Sequence, residues 1–169
     1  MRDLEKVLMS GAFAVRKLIE SDKVSDEVEA STVDAKSFPF KARFVDRHNR
    51  DEIDHLYDLK KGASVAAKLE AFCNQLIHSF VLTPTFVPTS GLRGVFVASD
   101  RDRVRRCLFF TVDNVADAFR RVAYDEIVWS ESQRAAVGEE LVIIRESNRI
   151  PVEALASFNA PVRSTAESG

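Results

Sequence analysis

Residues 64–80, SVAAKLEAFCNQLIHSF, carry the most regular apolar pattern in the chain. Apolar side chains recur there at the i, i+3, i+4 and i+7 spacing of one helical face, namely at Val65, Leu69, Phe72, Cys73, Leu76, Ile77 and Phe80. Ser64 can accept a hydrogen bond from a free N–H of the first turn, and Pro84 limits the helix downstream. The pattern predicts a central helix over about residues 64–82.

The opposite face of this predicted helix is small and uncharged, because it carries Ala67, Ala71, Asn74 and His78. A solvent-facing helix usually carries Lys and Glu there, whereas small side chains let another backbone come close. We therefore expect both faces to be covered, the second by a neighbouring helix, a second subunit or a ligand. Asn74 and His78 would then be buried polar groups that need hydrogen-bond partners.

Length and composition favour one soluble globular domain, since the chain has 169 residues, of which 46% are hydrophobic and 30% charged. A net charge of -2 argues against a general polyanion-binding protein but permits a local basic patch. The charged start predicts no secretory leader, and no apolar run is long enough to predict a membrane span. Cys73 and Cys107 indicate no disulfide framework, so we expect a cytoplasmic protein without a cofactor.

Upstream of the central helix, residues 3–20 form a second amphipathic helical pattern that contains Gly11. Glycine costs about 1 kcal/mol relative to alanine inside a helix, so we expect another element to cross closely at Gly11. Residues 25–29 can form a short helical turn. Residues 38–46 alternate between apolar and basic side chains, which predicts an edge strand or a loop because of Pro39.

Downstream, the Pro- and Gly-rich residues 83–94 predict a loop. The elements predicted after it are a β-hairpin of 95–98 and 104–112 with a turn near 99–102, a helix over 114–124 capped by Asp113, a polar helix or loop over 130–137, a strand over 141–146, and a short helix over 151–158 that Pro151 opens.

These elements predict an α+β fold with a helical core around the central helix at about 64–82. A C-terminal antiparallel β-hairpin or small sheet and one further helix would complete it. Residues 1–158 would form a single domain, with a mainly helical half at 1–83 and a hairpin-helix-strand half at 91–158. Residues 159–169 are predicted to be a disordered tail.

Residues 73–78, CNQLIH, resemble the R-N-x-x-x-H motif of HEPN domains, all-helical modules of prokaryotic defence systems and toxin–antitoxin pairs. The resemblance implies a helical core, dimerisation and metal-independent RNA cleavage by Asn74 and His78. Cys73 stands where the family has its arginine, and cysteine cannot supply the cation that stabilises phosphate charge in the transition state. Arg16 or Arg43 would have to supply it from another element.

His78 therefore has two interpretations. Histidine can exchange a proton near neutral pH, which suits acid–base catalysis or an RNA contact. The alternative is a buried histidine whose ring is satisfied by a backbone carbonyl or by Asn74, one turn back. We favour the structural interpretation because of Cys73.

Two further groups of charged residues could bind a ligand. The first contains His48, Asp51, Asp54, His55 and Asp58. These side chains are of the types that bind metal ions, but interleaved Arg and Lys would repel a cation, so we predict a solvated segment and no metal site. The second contains Arg101, Arg103, Arg105 and Arg106 on the hairpin turn. They could contact phosphates, or form local ion pairs with Asp100 and Asp102.

We expect this protein to act by binding and not by catalysis, as a homo-oligomer or with a protein partner, and without a membrane. One alternative is a HEPN-type ribonuclease that uses Asn74 and His78 with a recruited arginine. The other is nucleic-acid binding through Arg101, Arg103, Arg105 and Arg106.

Overall fold

The structure, a computed structural model, describes residues 2–89, 91–134 and 141–154. Its elements in chain order are α1 (Arg2–Ile19), α2 (Asp26–Glu29), β1 (Thr32–Pro39), α3 (Ile53–Leu56), a 3₁₀ turn (Leu59–Lys61), β2 (Ala63–Lys68), α4 (Leu69–Ile77), β3 (Ser79–Val87), β4 (Gly91–Ser99), β5 (Arg106–Thr111), α5 (Val112–Ala123), β6 (Trp129–Arg134) and β7 (Leu141–Ser147).

The centre of the fold is a five-stranded antiparallel sheet with the strand order β2-β1-β5-β4-β3, and β6 and β7 form a separate pair. The helical core with a C-terminal hairpin that we predicted is therefore wrong. The main core instead lies between one face of the sheet and helices α1, α4 and α5. This sheet-based architecture also differs from the all-helical fold that the HEPN resemblance implies.

The central helix predicted over residues 64–82 is wrong at both ends. Residues 63–68 form β2, α4 has only nine residues, and β3 begins at Ser79. In β2, Val65 and Ala67 pack towards the helices while Ser64 and Ala66 lie on the opposite face, which is the two-residue period of a strand. Val65 fits both the two-residue period of a strand and the spacing of the helical face. The apolar pattern therefore could not show where strand β2 ends and helix α4 begins.

The helix-facing side of the sheet is a continuous apolar layer, made of Val33 and Ala35 in β1, Val95 and Val97 in β4, and Leu108 and Phe110 in β5. Phe72 of α4 packs edge-on against Phe110, with ring centroids 4.9 Å apart. The close crossing predicted at Gly11 is confirmed, because a Cβ atom there would lie 2.9 Å from the ring of Phe119 in α5. Because Gly11 has no side chain, helix α1 can pack closely against Phe119 of α5.

A second apolar cluster covers one end of the other sheet face. It joins Phe38, Val81, Ala98 and Cys107 of the strands to Val45, Ile53, Leu56 and Tyr57 of the segment between β1 and β2. Tyr57 is fully buried, its hydroxyl donates to the Arg103 carbonyl at 2.8 Å, and burial raises its pKa. This segment, residues 40–61, is hereafter the covering segment, and it leaves the rest of that face open.

Of the two alternatives for residues 38–46, an edge strand or a loop, the strand holds only for Phe38 and Pro39, since β1 runs from Thr32 to Pro39 and residues 40–46 lie outside it. Asp34 and Lys36 point to the open face, so β1 looks too polar for a strand. The loop predicted over 83–94 is wrong in large part, because β3 and β4 pair through most of it. Pro84 is tolerated because β3 is an edge strand.

The predictions for the remaining parts of the chain were more accurate. The first helix, the short turn near 25–29, the hairpin of β4 and β5, helix α5 and the strand at 141–146 are confirmed. The cap of α5 is Thr111 and not Asp113, because the Thr111 hydroxyl accepts from Asn114 N. Of the polar helix or loop predicted over 130–137, residues 130–134 are a strand, since they pair with β7, and residues 135–137 lie outside the described ones. The predicted helix at 151–158 extends beyond the described residues, and the tail at 159–169 lies outside them.

A candidate binding cleft on the open sheet face

The open part of the sheet presents one row of side chains across all five strands. Strand register places Ser64 beside Lys36, Lys36 beside Phe109, Phe109 beside Phe96, and Phe96 beside Thr83. The row therefore begins with a hydroxyl and a cation, continues over two phenyl rings and ends with a hydroxyl. The covering segment packs against one side of this row, at Phe96, Phe109 and Thr83, and forms one wall of the space above it.

The floor of the cleft is aromatic. Phe96 and Phe109 have ring centroids 4.8 Å apart, and Phe96 also lies 5.8 Å from Phe38. Phe96 and Phe109 are both half-buried, so part of each ring faces the cleft. Gly94 makes room for Phe109, because a Cβ atom at Gly94 would lie 2.6 Å from that ring. Planar apolar groups are the partners that such rings bind best.

A β-bulge brings a cation to this floor. Thr85 pairs with Gly94 while Phe86 pairs with Leu92, so Arg93 is an extra residue without a partner in β3. Bulges redirect the side chain of the inserted residue. Here the guanidinium of Arg93 lies over Phe109, with Cζ 5.9 Å from the ring centroid, and lines the cleft.

The charges of the cleft favour an anion. Arg93, Lys36 and Lys60 line it, and Asp34 is its one carboxylate. Within the described residues, none of the three cations has a carboxylate at ion-pair distance. The cleft is therefore locally positive on a chain whose net charge is -2.

The cleft has the volume of a large small-molecule site. Its volume is about 920 Å³, which is near the upper end for small-molecule sites. The lining also includes the hydroxyls of Ser64, Thr85 and Thr111 and the amide of Asn114. Three of these polar groups already have partners, since Thr85 donates to the Gly94 carbonyl, Asn114 donates to the Asp34 carbonyl, and the Thr111 hydroxyl accepts from Asn114 N. We call this space the sheet-face cleft.

The predicted acidic cluster lies beside it. Asp51, Asp54 and His55, with Glu52, line a smaller hollow of about 330 Å³ that shares Thr85 and Phe96 with the sheet-face cleft. We call this hollow the acidic lobe. Of the other two cluster members, His48 is exposed, and Asp58 caps the 3₁₀ turn and pairs with Lys61. Within residues 2–89, 91–134 and 141–154, no His, Cys, Asp and Glu side chains are grouped so that they could hold a metal ion.

The motif on α4 is split between core and surface. Cys73 is fully buried, and burial raises the pKa of its thiol to about 12. Asn74 is half-buried and His78 is exposed, so the expectation that both lie buried is wrong for His78. Arg16 contacts Glu20 and Glu70, and Arg43 is exposed. In the described part of the chain, neither arginine makes a hydrogen bond to the His78 ring.

The structure does bring His78 close to the hairpin arginines, because Asp100 N donates to the His78 carbonyl at 3.0 Å. Two of the arginines are engaged locally. Arg103 pairs with Asp100 and lies 3.9 Å above the Phe80 ring, and Arg106 pairs with Asp102. Arg101 and Arg105 are exposed and, among the residues described, have no carboxylate at ion-pair distance.

Sequence reasoning missed the sheet-face cleft. Lys36, Phe96 and Phe109 meet only through strand register, which no local pattern reveals. The one local signal was Arg93-Gly94 inside an otherwise apolar strand, because a charged residue followed by glycine there indicates a bulge.

Comparison with protein-family models, with curated proteins and with solved structures finds no match to this chain. None of the helices in the described ranges combines the length and apolarity that crossing a bilayer requires.

Proposed function

We propose that this protein is a non-catalytic binding module whose sheet-face cleft takes a ligand with a flat apolar group and a negative charge. The observation that carries the proposal is Arg93, which the β-bulge places over Phe109 and which has no carboxylate at ion-pair distance among the described residues. Lys36 lies on the other side of the same ring in the strand register. An apolar surface between two such cations favours an aromatic or otherwise planar anion.

The ligand could be part of another protein, which agrees with action through a partner or a second copy of the chain. Both cysteines are free and buried, as suits a reducing compartment, and we place the module in the cytoplasm.

The test uses 8-anilinonaphthalene-1-sulfonate, a planar apolar anion whose fluorescence rises on binding. We expect Arg93→Gln to weaken its binding about fivefold, because a partly exposed charge pair contributes about 1 kcal/mol. Arg105→Gln is the matched control, since Arg105 is also exposed and also lacks an ion pair within the described part of the chain, but lies on the hairpin turn. An equal loss in both variants, or no loss in Arg93→Gln, would contradict binding in the cleft.

A second candidate is RNA binding, with or without cleavage, at His78 and the hairpin arginines. The exposed ring of His78 and the backbone contact between His78 and Asp100 favour it. Contacts to phosphate would fall to Arg101 and Arg105, because Arg103 and Arg106 are paired.

This candidate predicts salt-dependent binding of single-stranded RNA. Replacing Arg101 and Arg105 by Gln should reduce the slope of log K against log salt by about 0.7 for each phosphate that the protein no longer neutralises. Cleavage in the presence of EDTA that disappears in His78→Ala, at unchanged thermal stability, would establish a ribonuclease and exclude a purely binding role. Absence of RNA binding at low salt would exclude both forms of this candidate.

A further inference from the structure

The sheet-face cleft and the acidic lobe form one continuous surface with opposite charges at its two ends. They are adjacent and share Thr85 and Phe96, so a ligand that passes over these two residues would contact both ends. The cationic end carries Lys36, Lys60 and Arg93. The other end carries Asp51, Glu52 and Asp54, all of them exposed.

Strand geometry sets the distance between the two ends. Lys36 lies on β1, Arg93 reaches over β5, and Asp51 is held at β3 because Thr83 Oγ1 donates to its carboxylate at 3.3 Å. Neighbouring strands are about 4.8 Å apart, so two to three spacings separate the charges by about 10–14 Å. An extended peptide covers that distance in about three to four residues.

The middle of this path suits the body of a peptide. Phe96 and Phe109 offer an apolar surface to a side chain, and the hydroxyls of Thr83 and Ser64 at the two ends of the row can pair with peptide amides. A single small molecule would fill the cleft of about 920 Å³ but would leave the lobe of about 330 Å³ unused. A nucleic acid strand continued along the same path would bring a phosphate against the carboxylates of the lobe.

We propose, on the basis of the binding function above, that the ligand is a short extended peptide segment with an acidic and a basic side chain about four residues apart. It lies across the strands, with its acidic side chain at Arg93 and Lys36, its apolar side chain on Phe96 and Phe109, and its basic side chain at Asp51 and Asp54. The partner is thus a protein that exposes such a segment.

Calorimetric titration of the full chain with three pentapeptides, acetylated and amidated, tests this assignment. The probes are Glu-Leu-Phe-Ala-Lys, Glu-Leu-Phe-Ala-Glu and Lys-Leu-Phe-Ala-Lys. We expect the mixed-charge peptide to bind at least about threefold more tightly than either of the others, because each correct end adds one partly exposed ion pair. Asp51→Asn, which keeps an oxygen for Thr83, should weaken the mixed-charge peptide about threefold. Asp3→Asn on the exposed surface of α1 should leave its binding unchanged.

The outcomes separate the ligand class from the binding function. Asp51→Asn should not weaken binding of the anilinonaphthalene sulfonate, because it removes a negative charge beside the anion site, whereas Arg93→Gln should weaken both the sulfonate and the peptide. Equal affinity for the three peptides, or tighter binding of a deoxythymidylate hexamer, would overturn the peptide assignment even while the sulfonate still depends on Arg93. Sulfonate binding that does not depend on Arg93 would overturn the binding function itself.

Discussion

Replacing Gly94 with alanine is expected to lower the free energy of unfolding by about 3 kcal/mol or more. An added Cβ would collide with the backbone carbonyl oxygen of Phe110 and lie 2.6 Å from the ring of Phe109. The ring can turn aside, but the carbonyl belongs to the central strand β5, which is paired on both sides. Relief therefore requires the β4–β5 pairing to open at Gly94, which lies next to the bulge of β4 against β3 and beside the cleft floor.

Gly91→Ala is the matched control, because it makes the same change at the start of the same strand. Nothing lies within 4 Å of a Cβ atom there, but Gly91 has φ of +76°, which costs alanine about 1–2 kcal/mol. Denaturant unfolding of both variants should show the larger loss at Gly94, and thermal unfolding a drop of about 10 °C for that variant. A Gly94→Ala loss no larger than that of Gly91→Ala would mean that the strands relax around the methyl group.

The elements that the sequence revealed are those whose packing leaves a local pattern. Helix α5 buries Val115, Ala118 and Val122 at helical spacing, so its existence follows from periodicity alone. The β4–β5 hairpin has a short polar turn between two apolar strands, which is an equally local signal. Thr111 rather than Asp113 caps α5 because the cap depends on where the strand ends, and that boundary is not local.

Strands β1 and β2 were missed for one physical reason. Each buries only one face, and its open face carries Asp34, Lys36, Ser64 and Ala66 along the cleft. These polar and small residues weaken the alternation of apolar and polar side chains. As a result, the sequence of β1 resembles a loop and that of β2 resembles the start of a helix. The residues that hid the strands are thus the ones that form the candidate binding surface.

The cleft itself could not be predicted, because its floor depends on register. Phe96 and Phe109 are 13 positions apart and become neighbours only when β4 and β5 pair as they do. The acidic segment was recognised as a possible site, but its use as one end of a longer surface depends on the bond between Asp51 and Thr83. Cys73 and His78 illustrate the opposite error, since a short motif match said nothing about which side chain would be buried.

Asp125→Ala is the other large effect that we expect, a loss of about 3 kcal/mol in the free energy of unfolding. Asp125 follows α5, and its carboxylate accepts from Ser25 N at 2.6 Å, Ser25 Oγ at 2.8 Å and Asn148 Nδ2 at 3.1 Å. Ser25 is fully buried, so the variant leaves its N–H and hydroxyl without these partners in the interior. Hydrogen bonds to a charged group contribute about 1.5–3 kcal/mol each, and unsatisfied buried donors cost a similar amount.

Asp117→Ala is the control, because Asp117 lies within α5 and pairs with Arg120 at 2.8 Å but is 63% exposed. A surface ion pair of that kind should change the free energy of unfolding by less than about 0.5 kcal/mol. Asp125→Asn keeps one acceptor oxygen and should fall between the two. Because Asn148 follows β7, Asp125→Ala should also speed proteolysis within the β6–β7 pair, whereas Asp117→Ala should not. Equal unfolding midpoints for the two alanine variants would show that water replaces Asp125 at Ser25.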